Sequence, residues 1–202
     1  VNNSNNNSNS SNSNNNSSKD PIIGFMDESS LYLSPNKVRV INTKHVRYSE
    51  SNKNNNNNNG RSKTIFGFMA INGNDVAMVS DRAKANDMLM FLELIRRENP
   101  CKDICIVLDN ARIHKASMVV KKAEELNIRF IYLPPYSPDL NPIEFGWKDL
   151  KRELAILLDF NIMVEKSKEK ALELFRERKN RYANYWVKRF TSESIKGQEL
   201  IK

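Results

Sequence analysis

Cysteine, histidine and glycine are scarce in this chain, at two, two and six among 202 residues. Cys101 and Cys105 are too few for a disulfide framework, which points to a reducing compartment. Read with His114 as zinc ligands they lack a fourth partner, and Cys105 falls inside an apolar run where a thiol packs as a small hydrophobe. Long apolar runs are missing too. None approaches the ~20 residues that span a bilayer, and the N-terminus has neither the charged nor the apolar region of a secretory signal. The expectation is an intracellular chain with no membrane partner. Apolar side chains are also absent from positions 2 to 18, all Asn or Ser, and from Asn54 to Asn59. Such tracts cannot offset chain entropy, so residues 1–20 are expected as a disordered tail and 49–62 as an Asn-rich loop.

Acidic charge is in deficit. The net charge is +8 with a pI near 9.5, and from Phe145 onward 14 Lys and Arg face 9 Asp and Glu. That balance favours a polyanionic partner without naming one. A solvated, mixed-charge helix face accounts for the C-terminal excess equally well.

What is present reads as one domain. Ile22 to Asp27 is apolar until its last residue, the pattern of a strand covered on both faces. Glu28 to Ser30 reads as a turn into Leu31–Leu33, and Ser34-Pro35-Asn36 as another. Val38 to Tyr48 fits a half-exposed strand. Thr64–Ile71 and Val76–Val79 flank a hairpin turn at Asn72-Gly73-Asn74. The pattern then changes: Met88, Phe91, Leu92 and Ile95 recur at helical spacing, closed by Asn99-Pro100. Strand Ile104–Asp109 follows, then a helix over Lys115–Leu126 with Ala116, Val119, Val120 and Ala123 inward, and strand Ile128–Leu133. Strands alternating with helices imply parallel pairing, so the predicted sheet is mixed, antiparallel first and parallel later. A helix is predicted from Pro142 to Leu158 with Ile143, Trp147, Leu150, Leu154 and Leu157 on one stripe. A last one, from Ile162 to Phe190, packs through Leu172, Phe175, Tyr182, Tyr185 and Trp186.

Three acids stand out. Asp27 and Asp109 each close an apolar run, IIGFMD and ICIVLD, where a carboxylate is costly unless its charge is needed. Glu144 follows the proline-punctuated stretch LPPYSPDLNPIEFGWKDL. Each has an ordinary explanation: Asn141 as N-cap, Pro142 at the first helical position and Glu144 three residues after the cap make a capping-box pattern, and both Asp residues could serve turns. Jointly they say more. Acids ending parallel neighbouring strands emerge at one sheet edge, and a helix bearing Glu144 must pack back on that sheet. Converging carboxylates need divalent cations, and all-oxygen ligation points to Mg²⁺ or Mn²⁺. His114 reads as a positioning or capping residue, not a general base, and Trp147 as core.

The runs LDNARIHK and LPPYSPDLNPIEFGWKDLK, with DES after the first strand, resemble the catalytic domain of mariner-superfamily transposases of the prokaryotic insertion-sequence branch. Thirty-four residues separate Asp109 from Glu144, a spacing characteristic of that superfamily. The resemblance covers about Ile22 to Leu158. It implies an α/β, RNase H-like (retroviral integrase-like) fold, a mixed five-stranded sheet flanked by helices. The catalytic domain would span 21–160, with 161–202 a basic helical extension. It further implies that Asp27, Asp109 and Glu144 hold two Mg²⁺ or Mn²⁺ ions that cut and join double-stranded DNA, at element ends and target. Asn110, His114, Asn141 and Pro142 belong to the matched motifs as supporting residues, and Arg112, Lys115, Lys148 and Lys151 are candidate DNA contacts. Family members carry helix-turn-helix modules ahead of this domain, where this chain has Asn and Ser. The expected partners are therefore a second copy or a separate recognition subunit, in a DNA-associated, cytoplasmic, prokaryotic setting. A catalytically idle remnant that only binds DNA or a subunit is the alternative.

Overall fold

The computed structural model describes residues 20–32, 62–135, 137–157 and 159–199, with side chains of the last helix described as far as Tyr182 and at Asn184. The Asn/Ser tail, the turn at Ser34-Pro35-Asn36, the strand read at Val38–Tyr48, the Asn run, and the side chains of Tyr185 and Trp186 lie outside the described residues.

Five strands, β1 (Ile22–Tyr32), β2 (Ser62–Ala70), β3 (Val76–Ser80), β4 (Ile104–Leu108) and β5 (Ile128–Tyr132), form one sheet in the order β3-β2-β1-β4-β5. β1 pairs antiparallel with β2 and parallel with β4, so the sheet is mixed and β1 is its central strand. Helices α1 (Ala85–Glu98) and α2 (Ser117–Glu125) carry the chain from β3 to β4 and from β4 to β5. Helices α3 (Ile143–Leu154) and α4 (Phe160–Glu199) follow β5.

Side-chain alternation along the strands sorts the core into two layers. Ile22, Met26, Phe66 and Phe68 face α1 and α2, meeting Met88, Phe91, Leu92, Ile95, Val119 and Ala123. Phe25, Leu31, Ile65 and Met69 face the other way, onto Ile143, Trp147, Leu150 and Leu154 of α3 and Phe160, Leu174 and Phe175 of α4. The apolar stripes read for α1 and α3 are the buried stripes.

Two boundaries differ from the sequence reading. Glu28 to Ser30 is not a turn: β1 runs on to Tyr32 because β2 continues to pair with it, through Glu28↔Phe66, Ser29↔Ile65 and Tyr32↔Ser62. Asp27 therefore lies inside a strand instead of ending one. The helix from Pro142 also stops at Leu154, short of Leu158, because Asp159 starts a new one. Its Oδ1 accepts the backbone N–H groups of Asn161 and Ile162 at 2.7 and 3.0 Å, a side-chain N-cap for α4. α4 then packs beside α3 instead of continuing it.

Gly67 explains how α3 comes so close to the sheet. It stands directly across from Asp27 in the β1–β2 ladder, and a Cβ there would lie 2.4 Å from Trp147 Cη2 and 3.1 Å from Phe175 Cζ. The indole is 2% exposed and cannot retreat. Gly67→Ala is accordingly expected to cost about 1–3 kcal/mol by overpacking. Urea unfolding checks this; a loss within about 0.5 kcal/mol of zero would mean that the indole has room to shift.

Candidate active site

The parallel β1–β4 ladder ends at Phe25↔Val107, so Asp27 and Asp109 each lie two residues past its last paired position. Beyond it, one cavity of about 440 Å³ is lined by Asp27, Asp109 and Glu144, together with Asn110, Asn141 and residues of the Pro134–Pro138 loop. The structure thus brings the three acids together from β1, the end of β4 and the first turn of α3.

The loop is tied down before it becomes helix. Leu133 N–H extends the β4–β5 pairing by donating to the Leu108 carbonyl at 2.9 Å, and the Asn110 side-chain amide donates to the Leu133 carbonyl. After the 3-10 turn Pro138–Leu140, Asn141 is buried and its Nδ2 donates to the Met26 carbonyl at 3.1 Å, one residue before Asp27. This corrects the capping-box reading: Asn141 stands one residue before the N-cap, its Oδ1 accepts no backbone N–H, and α3 has no side-chain cap. Pro142, read as the first helical position, is instead the N-cap, though its backbone angles are already helical, φ −60° and ψ −22°. Glu144 occupies the first turn, where the helix dipole favours a carboxylate.

Asp27 points to the α3 side, where Trp147 Nε1–H donates to its Oδ2 at 3.0 Å. Trp147 is core, as expected, but it is also a hydrogen-bond donor to an acid, which an apolar stripe does not reveal. Burial, then the charges of Glu144 and Glu28, push the Asp27 carboxyl up to about 7. Partial burial also raises Glu144, opposed by nearby Lys151 and reinforced by Asp109. Asp109 is half-exposed, and its Oδ1 accepts from the Ala111 N–H at 2.9 Å.

His114 is completely buried and caps nothing. Its Nδ1 lies 2.9 Å from Asp109 Oδ1 and 3.2 Å from the Asp109 carbonyl, and its Nε2 lies 2.9 Å from Glu28 Oε1. Burial alone would lower the imidazole pKa, but the bond and charge of Glu28, with Asp109, hold it above the ordinary value. Glu28 was read as part of a turn; the sequence offered no signal that it reaches His114, 86 residues away.

The candidate DNA contacts do not line the cavity. Arg112 is exposed in the loop after Asp109, and Lys115 lies 5.4 Å from the Tyr132 ring centroid, a cation–π contact. Lys148 faces away, into a cleft of about 1060 Å³ between α3 and α4 shared with Arg152, Arg178 and Arg181. Lys151 is close enough to Glu144 to lower its pKa.

Among the described residues, no three His, Cys, Asp or Glu side chains already form a metal-coordinating cluster. The donor set fits Mg²⁺ or Mn²⁺ nonetheless. Mg²⁺ commonly takes one or two carboxylates and fills its shell with waters and substrate phosphates, and acids spread around one cavity supply that. Asn141 Oδ1 is buried with no partner among the described residues, a cost of about 1–3 kcal/mol that a cation's waters would relieve.

The raised carboxyl makes stability depend on pH and metal. Folded Asp27 keeps its proton to about 7 whereas the unfolded chain releases it near 3.8, so the folded state binds more protons in between and loses stability as pH rises through that window. His114, raised in the fold, adds a loss of the same sign as pH passes its folded pKa. With EDTA, melting is expected to fall from pH 5 to pH 8, and Mg²⁺ to raise it more at pH 8. Calorimetry on Asp27→Asn should show a shallower slope; an unchanged slope would mean that Asp27 is not the group responsible.

Among solved structures, the chain is similar to a pre-cleavage Mos1 transpososome (TM-score 0.53, 16% identity, 82% of this chain and 55% of that one). It is also similar to the Mos1 strand transfer complex (0.52, 17%, 83% and 53%) and the Mos1 mariner paired-end complex with Mn (0.51, 15%, 82% and 55%). At these identities the likeness is one of fold, the RNase H-like mixed sheet with its flanking helices, and this chain spans about half the length of those it matches. No curated protein matches it. No helix among the described residues is long and apolar enough to cross a membrane. Residues 23–160, which include all three acids, match the family model for the DDE superfamily endonuclease, and the chain belongs to that family.

Proposed function

We propose that this chain is the catalytic domain of a prokaryotic insertion-sequence transposase of the mariner superfamily, which cuts DNA strands and joins their ends to target DNA. One observation carries the reading: Asp27, Asp109 and Glu144, supplied by three different elements, line a single cavity. Family membership and the shared fold with Mos1 support it, as does the Mn named with one Mos1 complex.

In this reading the three carboxylates would hold two Mg²⁺ or Mn²⁺ ions, which when bound would supply Lewis acidity for the attacking hydroxyl and the leaving oxygen of an in-line displacement. The chain's own residues supply position. Trp147 holds Asp27 Oδ2 from the α3 side, while Ala111 N–H and His114 hold Asp109 Oδ1 and leave Oδ2 for ligation. Asn141 pins the start of α3 to β1, which sets the distance from Glu144 to Asp27. Lys151, close enough to act on Glu144, is the candidate phosphate contact at the site, and Arg112, Lys115 and Lys148 are candidate DNA contacts outside the cavity. The division into a tail at 1–20, a catalytic domain at 21–160 and a basic extension at 161–202 belongs to this proposal. So do the partners, duplex DNA with a second copy or a separate helix-turn-helix subunit, and the cytoplasmic, DNA-associated setting.

Incubated with duplex DNA and Mg²⁺ or Mn²⁺, the chain is expected to nick it, EDTA to stop the reaction and Asp109→Asn to abolish it. If wild type and variant both bind DNA but neither cuts with any divalent ion, the enzymatic reading fails and a DNA- or subunit-binding role stands.

A further inference from the structure

Neighbouring acids on β1 serve opposite faces of the sheet. Asp27, in phase with Phe25 and Leu31, meets Trp147 of α3; Glu28, in phase with Met26, faces the α1–α2 side and meets His114. Both His114 ring nitrogens are therefore engaged by carboxylate oxygens at 2.9 Å, Asp109 on Nδ1 and Glu28 on Nε2. The imidazole is 0% exposed and the Glu28 side chain 12%, so water does not compete for either bond. The backbone adds a third tie, since Tyr132 Oη donates to the His114 carbonyl at 3.1 Å and links the same turn to β5.

Asp109 has few other restraints. It follows the last residue of β4, its side chain is 56% exposed, and besides His114 its carboxylate is held by the Ala111 N–H. Long-range orientation of its carboxylate runs through the imidazole, and the imidazole is oriented by Glu28.

We infer that Glu28 is a positioning residue: through His114 it fixes the Asp109 carboxylate in the orientation that a divalent ion needs. The pattern is the carboxylate–imidazole support that fixes metal ligands elsewhere, with the order changed, because here the imidazole is the intermediate and a carboxylate the ligand. Strand β1 then contributes twice to one site, with Asp27 directly and with Glu28 through Asp109. This inference rests on the proposed metal site.

Titrating the full chain with Mn²⁺ alone, and counting free ion by electron paramagnetic resonance, tests it. Removal of an outer-shell partner commonly costs 10- to 100-fold in metal affinity. Glu28→Ala is expected to lose about 30- to 100-fold, and Glu28→Gln, which keeps an oxygen for Nε2–H but not the charge, about tenfold. In an Asp109→Asn background, Glu28→Ala should cause no further loss, because its effect passes through Asp109. A purely structural Glu28 would lower the melting temperature and leave Mn²⁺ affinity within twofold of wild type, and that result overturns the inference. Equal losses with and without Asp109 also overturn it. Should Glu28→Ala not fold, the near-isosteric Glu28→Gln decides by the same criterion. Failure of the metal site itself looks different: Asp109→Asn would then bind Mn²⁺ as wild type does.

Discussion

Glu144→Gln is expected to lower DNA cleavage by at least about 10³-fold while changing stability by no more than about 1 kcal/mol. The two halves of this result come from different parts of the structure. Glu144 sits on the exposed side of the first turn of α3, makes no cap, and gives the fold only a favourable charge near a helix N-terminus. Gln has the same shape and helix propensity. In the cavity the same change removes an anionic oxygen donor from a set of three, and an ion's stabilisation of a reacting phosphate is worth several kcal/mol, at 1.36 kcal/mol for each tenfold in rate. Parallel thermal melts and cleavage assays check both halves. Normal cleavage by Glu144→Gln would mean that the acid serves the helix start alone.

Trp147 carries the second large effect. Its indole is almost fully buried, meets Phe175 edge-on at a centroid distance of 5.5 Å, lies over Gly67, and donates to Asp27. Trp147→Ala is expected to cost about 3–5 kcal/mol, a large share of a domain's typical stability of roughly 5–15 kcal/mol. Trp147→Phe separates packing from chemistry. It keeps most of the ring contact, loses the Nε1–H donor at about 1–3 kcal/mol, and leaves Asp27 with one fewer bond to its charged form. Its metal affinity should drop by about 10- to 100-fold, as when other groups that orient a metal ligand are removed. Denaturant melts and Mn²⁺ titration measure the two effects. If Trp147→Phe binds Mn²⁺ as wild type does, the indole is packing only.

Much of this architecture was legible in the residues because it depends on periodicity. Ile22 to Met26 reads as a central strand since core layers pack on both of its faces, Ile22 and Met26 in one and Phe25 in the other, and the stripe Ile143, Trp147, Leu150 and Leu154 is the face that α3 buries. The convergence of Asp27 and Asp109 follows from the parallel register of two apolar runs, a local property of each run plus one pairing. What stayed hidden depends on partners distant in sequence. Glu28 and Ser29 look like a turn because they are polar, yet β2 supplies the ladder that keeps them extended and His114 supplies the base that makes a largely buried Glu tolerable. Asn141 satisfies every local rule for a cap, yet the helix starts one residue later, its Oδ1 caps nothing, and its Nδ2 serves to tie the loop to a carbonyl of β1, 115 residues away. Gly67 carries no pattern at all; its requirement appears only when an indole lies against it. The break at Leu154 was the exception, since Asp159 before an apolar segment is a cap signal that a local reading could have weighed.

Whether three acids from β1, the end of β4 and the start of α3 hold divalent metal in one cavity is decided by crystals grown with Mn²⁺, through anomalous scattering. Anomalous peaks are expected within ligating distance of the Asp27, Asp109 and Glu144 carboxylates, lost in Asp109→Asn. Peaks elsewhere only, or none in that cavity at millimolar Mn²⁺, would contradict metal binding there.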